Sequence, residues 1–424
     1  MADARPLELG LRARLSAMMF IQYAIWGSWV PLFFPFLTEH RGLTHHQVGL
    51  LFVVGSFGAF FTTFFFGQVA DRWVNAERLL AVLHLAAAFV VWQLARVETF
   101  TAVAITCVLY SMVSTPTLPL TNALAFAHLP DRDRDFGKIR VWGPVGSIAA
   151  GISVGQWLLH RHTPVADTAA AVRAAQVAGM GDAFRLAGIL SIVIVILALT
   201  ILPATPPRGS QKKGSPGQAL QYFGRQPLRT LLLIVFIVAC MQPFYTFHGA
   251  GFLSRLQHPW TPKINAVFGV GGIGLMALGH LSEIVVIALI PLLAKRLPRK
   301  TLLTIGLLAF TVRFGVFAYW PSPLAVLPAL LLQGLCFGGL YFTGFMIVDE
   351  ETSPETRASA QGIFSIVAFG IAVLVGNLFA AQMAQIAQGN YTFLYGIPFA
   401  VCLACLVLLV ALYPGKRAAA APAA

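Results

Sequence analysis

The sequence predicts an all-α polytopic membrane protein of twelve transmembrane helices. Three observations lead there. Of its 424 residues 58% are hydrophobic and 11% charged, the mean hydropathy is +0.77, and the apolar residues fall in long runs separated by short polar ones. Soluble domains carry roughly 25% charged residues, so a water-soluble globular enzyme is excluded. At about 20 residues per crossing plus a connection, the length holds roughly a dozen spans.

The runs fall at 15–37, 46–69, 79–96, 100–127, 138–160 and 183–203, then at 229–253, 264–293, 300–320, 323–348, 357–385 and 391–413. The first passes through Trp26 to Pro31 and is too long for a cleavable signal peptide. The stretch 204–228 is rich in Pro, Gly, Ser and Lys and reads as a linker, not as a helix in the bilayer. Expected domains are a six-helix bundle over 1–203, the linker, and a second six-helix bundle with a short tail over 229–424.

Orientation follows from the bases. With the N-terminus inside, 20 Lys and Arg fall on cytoplasmic segments and 7 on outer loops, so both termini are expected in the cytoplasm. The net charge of +13 is spread over the ends of apolar runs. That pattern belongs to membrane loops and not to a nucleic-acid groove. Cys402 and Cys405 form a CxxC on paper but lie in VCLACLVLL as small hydrophobes, and no metal or cofactor is expected. Gly269-Val-Gly-Gly-Ile-Gly274 lacks the preceding strand of a dinucleotide loop and reads as close helix packing. Asn390-Tyr-Thr is a glycosylation triplet of the kind that arises by chance. No phosphate-binding loop points to ATP-driven pumping.

After the second run comes Gly67-Gln-Val-Ala-Asp71-Arg72, and the matching place after the eighth holds Pro291-Leu-Leu-Ala-Lys295-Arg296. The glycine allows close helix approach, while Asp71 and Arg72 can tie neighbouring helix ends together. A G-x-x-x-D-R turn in this place, with six runs on either side of a linker, resembles the major facilitator superfamily. That resemblance implies two pseudo-symmetric bundles rocking about a polar cavity.

Of the 16 acids, Glu283 alone lies well inside a run. It precedes Lys295 by 12 residues, which puts it roughly 18 Å deep at 1.5 Å per residue. A carboxylate at that depth costs several kcal/mol, on the order of 3 or more, unless it is protonated, hydrated or paired. Arg140 begins the fifth run and Arg313 sits in the middle of the ninth. One carboxylate and two guanidiniums around a shared cavity would let Glu283 change partners or accept a proton. His280, one turn before Glu283, is a candidate hydrogen-bond partner. Gln22, Tyr23, Trp26 and Trp29 on the first run, Gln242 and Tyr245 on the seventh, and Phe337 and Tyr341 on the tenth complete the candidate cavity. Rings stack on flat solutes, and amides bind hydroxyls and heterocycle edges.

A narrower family emerges from IQYAIWGSW (21–29), FGKIRVWGPVG (136–146), LSEIVVIALIP (281–291), VRFGVFAY (312–319) and EETSPETRASAQGIF (350–364). Together they resemble the nucleoside–proton symporters of the major facilitator superfamily. The Arg, Glu and Arg on runs five, eight and nine also resemble the oligosaccharide–proton symporters of the lactose permease type. The resemblance implies substrate or proton roles for Arg140, Gln242, Glu283 and Phe337. The chain departs from the nucleoside pattern at Pro144, Ser147, Tyr245, His280 and Gly338. At Gly338 the pattern has an acid, which leaves Glu283 as the acid available for coupling.

The expected function is proton-coupled uptake of a small neutral hydrophilic solute across the bacterial inner membrane. Nucleosides come first, sugars or glycosides second. Trp26, Arg140, Gln242, Tyr245, His280, Glu283, Phe337 and Tyr341 would bind substrate, and Glu283, Arg313 and His280 would couple the proton. The chain is expected to work as a monomer in the lipid bilayer, without nucleic-acid partners. A solute sensor signalling through the linker is the reading from another class, and the linker holds no recognisable module. An intramembrane enzyme would need a nucleophile–base pair beyond His280 and Glu283.

Overall fold

A computed structural model describes residues 7–130, 132–165, 168–207, 216–256, 258–353 and 356–414. The first half runs as α1 (Leu9–Pro35), α2 (His45–Arg72), α3 (Ala76–Leu94), α4 (Phe100–Ser114), α5 (Thr117–His128), α6 (Arg132–Arg140), α7 (Trp142–Arg161), α8 (Ala169–Gly179) and α9 (Gly181–Thr200). The second runs as α10 (Pro216–Phe223), α11 (Leu228–Ala239), α12 (Gln242–Ser254), α13 (Thr261–Phe268), α14 (Ile273–Leu293) and α15 (Arg299–Tyr319). It continues as α16 (Pro323–Cys336), α17 (Thr343–Glu351), α18 (Arg357–Ser365), α19 (Ala372–Ala387) and α20 (Tyr391–Leu412). π-helical turns at Phe36–His40, Phe337–Phe342 and Ile366–Ile371 extend α1, join α16 to α17, and join α18 to α19.

Among the described residues, ten helical segments are long and apolar enough to cross a membrane. With α2, of 28 residues, and α7, of 20, they account for the twelve expected spans. Several spans are nevertheless broken. Pro144 has no N–H for the carbonyl of Arg140, and the fifth span divides at Val141 between α6 and α7. Pro243 does the same to the carbonyl of Ala239, between α11 and α12. The fourth span divides at Thr115–Pro116.

Two segments differ from the sequence expectation. The outer loop expected at 161–182 contains α8, capped by Thr168, whose hydroxyl accepts from Ala171 N at 3.2 Å. The linker contains α10, whose Phe223 is buried. Its neighbour Tyr222 is hydrogen-bonded by Ser353 and Thr356, which hold the phenol below its ordinary range. Asn390 of the glycosylation triplet caps α20, accepting from Phe393 N at 3.1 Å.

The chain forms two compact units. The first comprises Met1–Gln211, Tyr245–Leu281 and Ala384–Ile386, and the second Lys212–Phe244, Ser282–Met383 and Ala387–Ala424. The division passes through the expected linker, but also through α12 and α14.

In the first unit Trp29, Phe33, Tyr110 and Phe184 interlock edge to face at the core. The glycine string before α14 is a left-handed turn, with φ of +76° at Gly269, +82° at Gly271 and +79° at Gly272. It is bonded to α7: Val270 N donates to Gly155 O at 3.1 Å, and Gln156 Nε2 donates to Ala266 O and Val267 O at 2.9 and 3.0 Å. A Cβ at Gly269 would lie 2.0 Å from the Gly155 carbonyl carbon. Close packing is therefore what these glycines serve.

In the second unit α15 lies along α20. Arg299 joins the start of α15 to Glu350 at the end of α17, with Nε 3.1 Å from Oε1, and Lys300 Nζ donates to Val410 O and Tyr413 O at 2.8 Å.

Candidate functional site

The second unit holds a charged cluster. Arg313 lies in the middle of α15 and is fully buried. Its Nη1 donates to Gln333 Oε1 on α16, and its Nη2 to Gln242 Oε1 at the start of α12, at 3.4 Å. Phe310 and Phe314, one turn apart on the same helix, lie against the guanidinium at 5.1 and 5.0 Å. A planar fork of donors is met by two amide oxygens, and its faces by two rings.

Glu283 is joined to this cluster through the backbone. On α14, Ser282 Oγ accepts from Gly334 N at 2.9 Å. A Cβ at Gly334 would lie 2.3 Å from Ser282 O and 2.8 Å from Glu283 N, so only glycine permits this approach. Gly334 follows Gln333, the partner of Arg313. Cys336, buried on α16, lies within the electrostatic reach of both Arg313 and Glu283. Glu283 itself is half-buried.

One turn beyond Gly334, in the π-helical turn after α16, the packing explains a departure from the family pattern. A side chain at Gly338 would meet Val286 Cγ1 at 2.7 Å and Ile290 Cγ1 at 3.1 Å. An acid at 338 would require the Val286 and Ile290 side chains to give way. Phe337 is half-buried and Tyr341 buried in the π-helical turn, with ring centroids 5.5 Å apart.

The remaining expected site residues belong to the first unit. Arg140 ends α6, at the break that Pro144 imposes, and its guanidinium covers the Tyr23 ring at 4.4 Å. It is thus held by α1 as a cation over a π face. Trp26 is 37% exposed, whereas Tyr245 is buried and His280 half-buried. Gln22, expected to line a cavity, is wholly buried: it donates to Thr117 Oγ1 and faces His84 Nε2, both at 2.9 Å.

Arg313, expected beside a cavity shared with Glu283, has two glutamine oxygens and two phenylalanine rings about its guanidinium. Arg140 falls in the other compact unit. Of the turn Gly67–Asp71–Arg72, the side chains of Gly67 and Asp71 lie outside the described residues, and Arg72 is exposed at the end of α2.

Sequence reasoning missed Gln333 and His84. Each is a single polar side chain in an apolar run, LLLQGL and AVLHLAA, and that was the available signal.

Twelve membrane spans and an ionisable cluster buried at mid-span define a secondary transporter of the major facilitator fold. The chain belongs to the nucleoside–H+ symporter family, whose description matches residues 9–417. It is 30% identical to YegT of Escherichia coli (strain K12) over 88% of this chain and 84% of that one. With the nucleoside permease NupG of the same organism it shares 24% identity over 90% of each chain. With xanthosine permease it shares 26% over 88% of each. The crystal structure of nucleoside transporter NupG matches with a TM-score of 0.78 over 95% of this chain and 98% of that one. An inward-facing bacterial homolog of the lysosomal transporter Spinster matches at 0.65 over 95% and 94%.

Proposed function

We propose that this chain carries nucleosides into the bacterial cytoplasm together with protons, as a monomer in the inner membrane with both termini inside. Arg140, Gln242 and Phe337 contact the solute, helped by Trp26, Tyr245, His280 and Tyr341. Glu283 takes up and releases the proton. The observation that carries the reading is the placement of Glu283, the one acid deep in an apolar run, on the backbone contact that leads through Gln333 to Arg313.

Chemically, a protonated Glu283 is a neutral hydrogen-bond donor, and an ionised one answers the cation held next door. Arg313 keeps a fixed positive field at the site because its amide partners are uncharged. His280, one turn earlier on α14, supplies a second group able to hold the proton. Names of relatives support the solute class.

The test is transport in proteoliposomes. With an imposed pH gradient the parent should concentrate radiolabelled uridine or inosine, and a disaccharide should not compete. Glu283→Gln mimics the protonated form and should retain counterflow while losing accumulation. A Glu283→Gln protein that still concentrates nucleoside under the gradient would remove Glu283 from coupling.

A further inference from the structure

The two π-helical turns of the second unit carry Phe337 and Tyr341, already assigned above, and beside them Phe369, a ring that the reading above does not use. Phe369, in the turn Ile366–Ile371, is 43% exposed although it sits mid-span. Its centroid lies 6.3 Å from Phe337 at an interplanar angle of 29°, 5.1 Å from Tyr341 and 6.3 Å from Phe345. Tyr341 is 4% exposed and forms the floor. It meets Phe310, one of the rings against Arg313, edge to face at 6.4 Å. The rings are therefore continuous with the charged cluster.

The exposure along this span is two-sided. Gly362, Ile366 and Phe369 form one exposed line, while Ile371, Val375 and Leu378 form another. Residues 369 and 371, two apart within the π-helical turn, point to different sides of the helix. A helix packed in a bundle turns one face to lipid, and the opposite exposed face opens on a solute path. The aliphatic line Ile371, Val375, Leu378 suits lipid. The line ending in Phe369 is the one that meets the rings of the tenth span.

We propose that Phe369 is a base-stacking residue, pairing with Phe337 to grip the flat heterocycle of a nucleoside, with Tyr341 beneath. This rests on the nucleoside reading and names the part of the solute recognised. A base held between two faces needs about 7 Å, twice the ordinary 3.5 Å contact between carbon atoms. The ring centroids of Phe337 and Phe369 stand 6.3 Å apart, so opening that gap takes a side-chain rotation. The π-helical turns add a residue to each helix and so swing both rings off the regular helical line, which is a recurrent use of such turns. The same geometry sets specificity: a purine offers more π surface than a pyrimidine, and a sugar offers none.

Isothermal titration of the purified protein with inosine, uridine and ribose decides it, using the parent, Phe369→Leu and Phe369→Trp. Phe369→Leu should weaken inosine about tenfold or more, and uridine less, since stacking on one ring commonly contributes that much. Phe369→Trp should keep or tighten inosine binding, which separates lost stacking from lost folding. Inosine binding by Phe369→Leu equal to the parent overturns the proposal, as does equal weakening by Phe369→Trp. A parent that binds a disaccharide and no nucleoside overturns the nucleoside reading itself, and the stacking role with it.

Discussion

Each compact unit buries a polar network at its core, and the two are built on different principles. In the first, Thr117 Oγ1 donates to Ser114 O at 2.6 Å, so it must accept from Gln22 Nε2. That fixes the amide, and Gln22 Oε1 must then accept from His84 Nε2. The chain of donors runs one way across α3, α1 and α5, every member neutral, with His84 Nδ1 left without a hydrogen-bond partner among the described residues. In the second unit a permanent cation, Arg313, donates to two amide oxygens, and Glu283 stands on α14, which packs against α16 at Gly334. The neutral chain has a single satisfied arrangement and can only hold helices together. Under the proposed coupling the charged cluster has two, according to the state of Glu283.

Arg313→Met tests that contrast most severely. It removes the cation and with it the donor to the buried Gln333 oxygen, at about 1–3 kcal/mol, and the longer bond to the half-buried Gln242. A fall in thermal stability of about 3 kcal/mol with loss of proton-driven uptake is expected, and full uptake by this variant would end the comparison. Gln22→Leu is the matching change in the first unit. It should cost about 2 kcal/mol, because His84 and Thr117 lose their partner, while the ratio of accumulated to external nucleoside stays near that of the parent. Adding His84→Leu should recover part of the stability, since removing both ends of a buried bond is cheaper than removing one. A Gln22→Leu protein that uncouples would show that the neutral chain also changes state. Asn390→Ala is the mild control. Loss of the α20 cap should lower stability by about 1 kcal/mol without touching transport, read by thermal unfolding and initial uptake rates.

Much of this was legible in the residues. Apolar runs located the spans, and counting acids singled out Glu283. The breaks at Val141 and Cys240 were harder to see, because a hydropathy profile is indifferent to whether a run is one helix or two joined at a proline. The proline positions do predict them once the carbonyl four residues back is asked for its donor. Helices α8 and α10 lie in polar stretches whose composition reads as loop, and they are stabilised by a cap in one case and by a buried Phe223 in the other. Arg313 was expected at a cavity shared with Glu283, and nothing in the residues showed that Gln333, 20 positions away, would be its partner. Phe369 was invisible among 33 phenylalanines until the π-helical turn turned it out of the core.

The sequence by itself determined that this is a twelve-span membrane protein, because a hydrocarbon core about 30 Å thick admits only long apolar runs and penalises every charge left within them. It also determined which few residues could not be there for packing alone. Which of them pair was decided by tertiary structure. Arg313 and Gln242 are 71 positions apart, and whether they meet depends on the rotation and height of two helices. Each residue step turns a helix by about 100° and lifts it 1.5 Å, so a proline break or one π-helical turn redirects every side chain beyond it.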